Sequence, residues 1–157
     1  MAKFDRKGKK EGQAINTAAL PDIVFMLLFF FMVATVLREV EYKIKLKLPE
    51  ASEIKKLEKK SLVTYIYVGE PKLQYQKLHG TEPKIQLNDA FARVSDIQDY
   101  IIGDRQTKNE DEVPFMTTSL KVDMDTKMGI VTQIKQELRK VSALKINYSS
   151  RKKVTVK

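Results

Sequence analysis

The sequence predicts an α+β protein: one N-terminal transmembrane helix, then a small extracytoplasmic domain of mixed sheet with two helices packed on one face. Three observations predict it. Residues 23–37 are apolar at every position except Thr35. The next stretch, "REVEYKIKLKLPEA" at 38–51, alternates apolar and charged residues. Beyond residue 60, β-branched runs are interleaved with segments of helical periodicity, which a sheet with helices on one side accommodates.

Residues 1–16 form a basic tail. The flank "MAKFDRKGKKEGQ" holds five basic residues and two acids, and a short basic flank stays in the cytoplasm. The residues after the apolar run are expected on the other side, because long domains translocate largely regardless of charge. The length of 157 residues allows one modest core plus an appendage. A net charge of +9 raises nucleic acid as a partner. Beyond residue 38, however, 23 Lys/Arg are mixed with 17 Asp/Glu, a solvated surface rather than a binding stripe, so no nucleic-acid partner is expected. Cysteine is absent, which excludes disulfides, thiolate metal sites and thiol catalysis.

The span is expected over 17–38, about 33 Å of helix, close to one hydrocarbon thickness. A cleaved signal peptide needs small residues two apart at its end, and Met32 and Ala34 serve poorly. A buried core helix would interrupt the Phe, Leu and Met run with polar positions. A plain anchor leaves Asp22 unexplained. An Asp inside a span costs about 2.5–3.5 kcal/mol, and this one sits roughly 8 Å deep by helical rise, where its short side chain reaches the interface only in part. Removal from water penalises the charged form of a carboxyl, and the charge returns when water or a polar partner arrives. Those are the properties of a proton carrier, and one charge moved through 100 mV is worth about 2.3 kcal/mol. Pro21, directly before Asp22, stands near the helix start, where a missing N–H does little harm. Thr17 and Thr35 either offer hydroxyls to a proton path or satisfy them on the helix's own carbonyls.

Residues 39–60 are expected to be an extended segment and a linker. Val40, Tyr42, Ile44, Leu46 and Leu48 point one way and the charged residues between them the other. Pro49 ends the strand, and "EIKKLEKK" at 53–60 follows as linker. The strand is either a stalk or an edge that pairs with another chain through Leu46, Leu48 and Pro49.

Residues 61–157 form the outer α+β domain. "SLVTYIYVG" (61–69) is a strand, and "KLQYQKLHG" (72–80) is read as its hairpin mate. "NDAFARVSDIQDYII" (88–102) places Phe91, Val94, Ile97 and Ile101 on one helical face, capped by Asn88 or Asp89 and stopped by Gly103. A polar loop (105–114) leads to a strand (115–124), then a helix marked by Met128, Val131, Ile134, Leu138 and Val141, then the strand "LKINYSS". Asp123 and Asp125 invite an acid/base or metal reading, but they stand at a strand-to-helix turn where Asp caps. His79, the only histidine, is read as an exposed loop residue, and Tyr65, Tyr67 and Tyr75 as lining sheet faces. No phosphate loop and no nucleophile with a base is present, so no enzyme, cofactor or metal is expected.

Three stretches together resemble the ExbD/TolR family, small single-span subunits of proton-driven inner-membrane motors. They are "INTAALPDIVFMLLFFFMVAT" (15–35), "KLPEA" (47–51) and "LKVDMDTKMGIVTQIKQELRKVSALKINYSS" (120–150). The resemblance implies that Asp22 carries the proton, protons being the coupling ion. It implies a homodimer whose spans sit inside a ring of a multi-span ExbB/TolQ-like membrane protein, with Pro21, Phe25 and Phe29 packed against that partner. It further implies an inner-membrane location, a cytoplasmic N-terminus, a periplasmic outer domain, and a TonB-like client powered for transport across the outer membrane. A TolR-like role in envelope maintenance, and a signal-anchored envelope binding protein without proton coupling, stand as alternatives.

Overall fold

The computed structural model describes residues 17, 19–36, 40–57 and 59–154, and of Val36 the backbone alone. The basic tail 1–16 and the expected end of the span at 37–38 lie outside the described residues. The chain divides into two compact units, Met1–Glu39 and Val40–Lys157. In the first, the apolar run forms helix α1, Ala19–Val36.

The second unit is built on a five-stranded mixed sheet. In chain order its strands are β2 (Val63–Gly69), β3 (Lys84–Leu87), β4 (Ala90–Ala92), β5 (Thr117–Val122) and β6 (Ile146–Tyr148), and a separate two-residue strand β1 (Glu50–Ala51) pairs in parallel with β7 (Arg151–Lys152). The spatial order is β4-β3-β2-β5-β6. β2 runs antiparallel to β3 and parallel to β5, and β5 runs parallel to β6. Period two along β2 sends Ile66 and Val68 to one face and Tyr65 and Tyr67 to the other. On the first face Ile66, Val68, Ile85, Leu87 and Leu120 pack with Ile97 and Ile101 of α3 (Asp96–Gln106) and Val131, Ile134 and Leu138 of α4 (Met128–Lys140). The mixed sheet and its pair of packed helices match the sequence expectation for this unit.

Several local expectations are corrected. Residues 72–80 are not the hairpin mate of β2 but helix α2, Leu73–His79, and the mate is β3. Gln, Lys and Leu are good helix formers, and this stretch contains no β-branched residue. Gly80 closes α2 at φ +76°, a conformation that favours glycine. His79 therefore ends a helix instead of sitting in a loop, exposed, with its ring 4.4 Å from that of Phe91.

The helix expected over 88–102 is a turn, a strand and a later helix. Asn88 takes φ +50° in the two-residue turn joining β3 to β4, and Phe91 belongs to β4. α3 begins at Asp96, whose carboxylate accepts the Arg93 N–H at 2.9 Å, so neither Asn88 nor Asp89 caps it. Gly103 does not stop α3, which continues to Gln106 and lets the Arg105 Nη1 donate to the Val141 carbonyl at 2.6 Å. Asp123 and Asp125 do not cap α4: Lys127 occupies the cap position with no side-chain bond. Met128, expected on the apolar face, is 67% exposed.

α3 and α4 are also joined by a polar contact. Lys140 Nζ donates to Glu137 at 2.6 Å, and Gln98 on α3 donates to the same carboxylate. Lys140 first and Gln98 second hold the Glu137 carboxyl below the ordinary glutamate range. A carboxyl depressed by folding contributes stability above its unfolded value, near 4.3, and that contribution is lost as pH falls through the folded value. Thermal unfolding of the full chain in detergent is thus expected to show a smaller fall in Tm on acidification for Glu137→Gln than for the unsubstituted chain. Equal falls would contradict it.

Candidate functional site

Asp22 is the fourth residue of α1, within its first turn, where the positive end of the helix dipole favours an acid. At 3.6 residues per turn, Phe25, Met26 and Phe29 share its face. Every large apolar side chain from Leu20 to Met32 is more than half exposed, with Phe25 at 70%. So continuous an apolar surface, running all the way round the helix, needs lipid or another protein to cover it. Among the described residues no helix is long and apolar enough to cross a membrane. The 18 residues of α1 rise about 27 Å, against roughly 30 Å of hydrocarbon.

The two threonines are not gathered at Asp22. Thr17 lies in a turn before α1. The Thr35 hydroxyl donates to the helix's own carbonyls, Phe31 O at 2.9 Å and Met32 O at 2.8 Å. Thr35 stands thirteen residues beyond Asp22, about 20 Å along the axis and roughly 140° round it.

In the second unit the functional interest is the extended segment 40–51, which belongs to the folded unit and is not a free linker. Its backbone bonds follow a strict period of two. Glu41 N–H donates to Asp89 Oδ1 at 3.1 Å, and its carbonyl accepts from Gln86 Nε2 at 2.7 Å. Lys43 N–H donates to Gln86 Oε1 at 2.9 Å, and Lys45 N–H to the Glu70 carbonyl at 2.7 Å. Lys47 N–H donates to Asp123 Oδ1 at 2.7 Å, and its carbonyl accepts from Met124 N–H at 2.9 Å. The carbonyls of Pro49 and Ala51 accept from Arg151 and Lys153. Successive residues of an extended chain present their N–H and C=O to opposite edges. The odd-numbered residues therefore hold the segment to its own unit, and the even-numbered ones, Leu46 and Leu48 included, present the opposite edge.

Ile44, 1% exposed, is the segment's apolar anchor and bridges to Pro71. Gln86, fully buried, is its polar one: the amide bonds Glu41, Lys43 and the Asn88 carbonyl. Gly69 leaves room for the segment, since a Cβ there would stand 2.5 Å from the Lys45 carbonyl oxygen. Sequence reasoning missed Gln86, Asp89, Asp123 and Gly69 as holders of this strand. The one available signal is Gln86, a polar residue inside the run "KIQL".

On the face of the sheet opposite α3 and α4, the Lys121 Nζ lies 4.8 Å from the Tyr65 ring centre, 5.4 Å from Tyr67 and 5.8 Å from Tyr42. Burial, and then Tyr42, raise the Tyr67 phenol above its usual value. Tyr100 is pushed up to about 12 by burial and by Asp104, and its hydroxyl donates to Asn88 Oδ1 at 2.9 Å. Tyr67 and Tyr100 are therefore protonated phenols at neutral pH. Among the described residues no three of His, Cys, Asp or Glu lie together as a metal site.

A family model described as biopolymer transport protein ExbD/TolR matches residues 8–153. No curated protein and no solved structure matches.

Proposed function

The chain belongs to the ExbD/TolR family of biopolymer transport proteins, and from that premise we propose that it is the proton-coupled subunit of an inner-membrane motor, with Asp22 as the proton-carrying group. Members of the family are non-enzymatic energy-transduction subunits of biopolymer transport that work with ExbB/TolQ and TonB-like partners. The observation that carries the finer reading is Asp22 itself, a single carboxylate on a helix whose large apolar side chains are exposed.

In this reading the span takes in 17–38, the N-terminus is cytoplasmic and the unit from Val40 is periplasmic. Two copies sit within a ring of the multi-span partner, with Pro21, Phe25 and Phe29 against it and Asp22 facing the partner instead of lipid. Protons enter and leave the Asp22 carboxylate, and each charge moved through 100 mV supplies about 2.3 kcal/mol for motion of one component against the other. Thr17 and Thr35 are candidate members of the proton path. Segment 40–51 passes that motion to the outer unit, which works on a TonB-like client for transport across the outer membrane.

Two results test this. Protease added outside spheroplasts is expected to digest the outer unit but not a tag on the N-terminus. Purification in mild detergent is expected to bring down a multi-span membrane protein. Release of the chain into alkaline buffer without detergent contradicts the reading.

A further inference from the structure

A cleft of about 690 Å³ opens on the second unit, lined by Lys55, Lys56, Lys59 and Lys145 together with Leu62 and Phe115. No acidic side chain lines it among the described residues. The segment 53–60 that supplies three of these lysines holds four lysines against two glutamates. Phe115 is 65% exposed, with the Lys145 Nζ 5.3 Å from its ring centre and bonded to the Pro114 carbonyl at 2.8 Å. The cleft thus combines positive charge with an uncovered aromatic ring, which suits a peptide carrying acids better than a bare anion.

The chain has such a peptide beside the cleft. Glu110, Asp111 and Glu112 are three consecutive acids, the first two exposed, joined to Phe115 by the short 3-10 turn Val113–Phe115. Among the described residues the ion pairs are Lys45–Glu70, Lys140–Glu137 and Arg151–Glu50, none of which uses these acids or the cleft's lysines. The acids lie three to five residues before the cleft-lining Phe115 without pairing with the cleft's lysines. A patch that carries both halves of a contact next to one another is self-complementary, and a two-fold axis brings each half onto the other.

We infer that the basic cleft receives the Glu110–Glu112 loop of a second copy of this chain, while its own loop enters that copy's cleft. Exposed ion pairs are individually weak and screened by salt, so the contact depends on several pairs acting together with the covering of Phe115. The inference rests on the reading that two copies share one complex.

The cysteine-free sequence makes the test direct. Two differently tagged full chains are co-expressed with the multi-span partner, one carrying Asp111→Cys and the other Lys56→Cys. Oxidation at low salt is expected to give a disulfide between the tags at least severalfold more abundant than a control pairing of Asp111→Cys with Lys77→Cys on α2. Adding Lys55→Glu and Lys59→Glu to the Lys56→Cys copy is expected to reduce it to the control level. If the tagged copies co-purify but the 111–56 disulfide never exceeds the control, the contact is overturned and the two-copy reading stands. If the copies do not co-purify, both fall.

Discussion

Asp22→Asn is expected to abolish gradient-driven work while leaving the chain inserted and bound to its multi-span partner. Asn has nearly the shape of Asp and keeps a polar group at the helix start, so packing around Phe25 and Phe29 is retained. It binds and releases no proton at any working pH, so the coupling of about 2.3 kcal/mol per charge per 100 mV is lost outright. Asp22→Glu keeps a titratable group one methylene further out and is expected to keep part of the activity. The measurement is uptake of an outer-membrane-dependent nutrient in cells carrying each variant at equal membrane level, with co-purification as the assembly control. A simple tether would leave Asp22→Asn fully active.

Gly69→Ala is expected to destabilise the outer unit by about 2–4 kcal/mol and to free segment 40–51 from it. The new Cβ would stand 2.5 Å from the Lys45 carbonyl oxygen, 3.3 Å from Asp123 Cβ and 3.4 Å from Ile44 Cδ1. The nearest of these is backbone, pinned on one side by Lys45 N–H to Glu70 and on the other by Lys47 N–H to Asp123, both at 2.7 Å. The chain must therefore shift, and the loss takes in hydrogen bonds worth about 1 kcal/mol each together with burial of Ile44. Gly103 and Gly129 provide the opposite sign: both lie in helices with nothing within 4 Å of an added Cβ, so alanine there is expected to stabilise by roughly 0.5–1 kcal/mol. Thermal unfolding of the three variants checks the order, and limited proteolysis between residues 40 and 60 checks the release of the segment.

What the sequence made legible, and what it did not, follows the range of the interactions. Helix α4 was readable because Val131, Ile134 and Leu138 repeat at helical spacing and all three are buried. β2 and β5 were readable as apolar, β-branched runs, and each indeed forms a strand of the sheet core. The region between them was misread where short elements carry mixed signals. α2 buries no side chain, so no apolar stripe marks it as a helix, and Phe91 fell by chance into helical register with Ile97 and Ile101 while belonging to a strand.

The alternation after α1 predicts an extended segment, as found, but no local signal reveals what holds it. Glu41 finds Asp89 at a separation of 48 residues, and Lys47 finds Asp123 at 76. No local pattern encodes such pairings. For the same reason the neighbours of Asp123 suggest a helix cap, whereas its carboxylate holds Lys47, 76 residues away. Asp22 is the opposite case as a sequence feature, since a single acid in an apolar run stands out without any tertiary information.

Proton flux through the purified complex tests the central claim most directly. The chain and its multi-span partner are reconstituted in liposomes holding a pH-sensitive dye, and a membrane potential is imposed. The account predicts a change in internal pH with the unsubstituted chain that Asp22→Asn abolishes. Equal flux from the two complexes would contradict it.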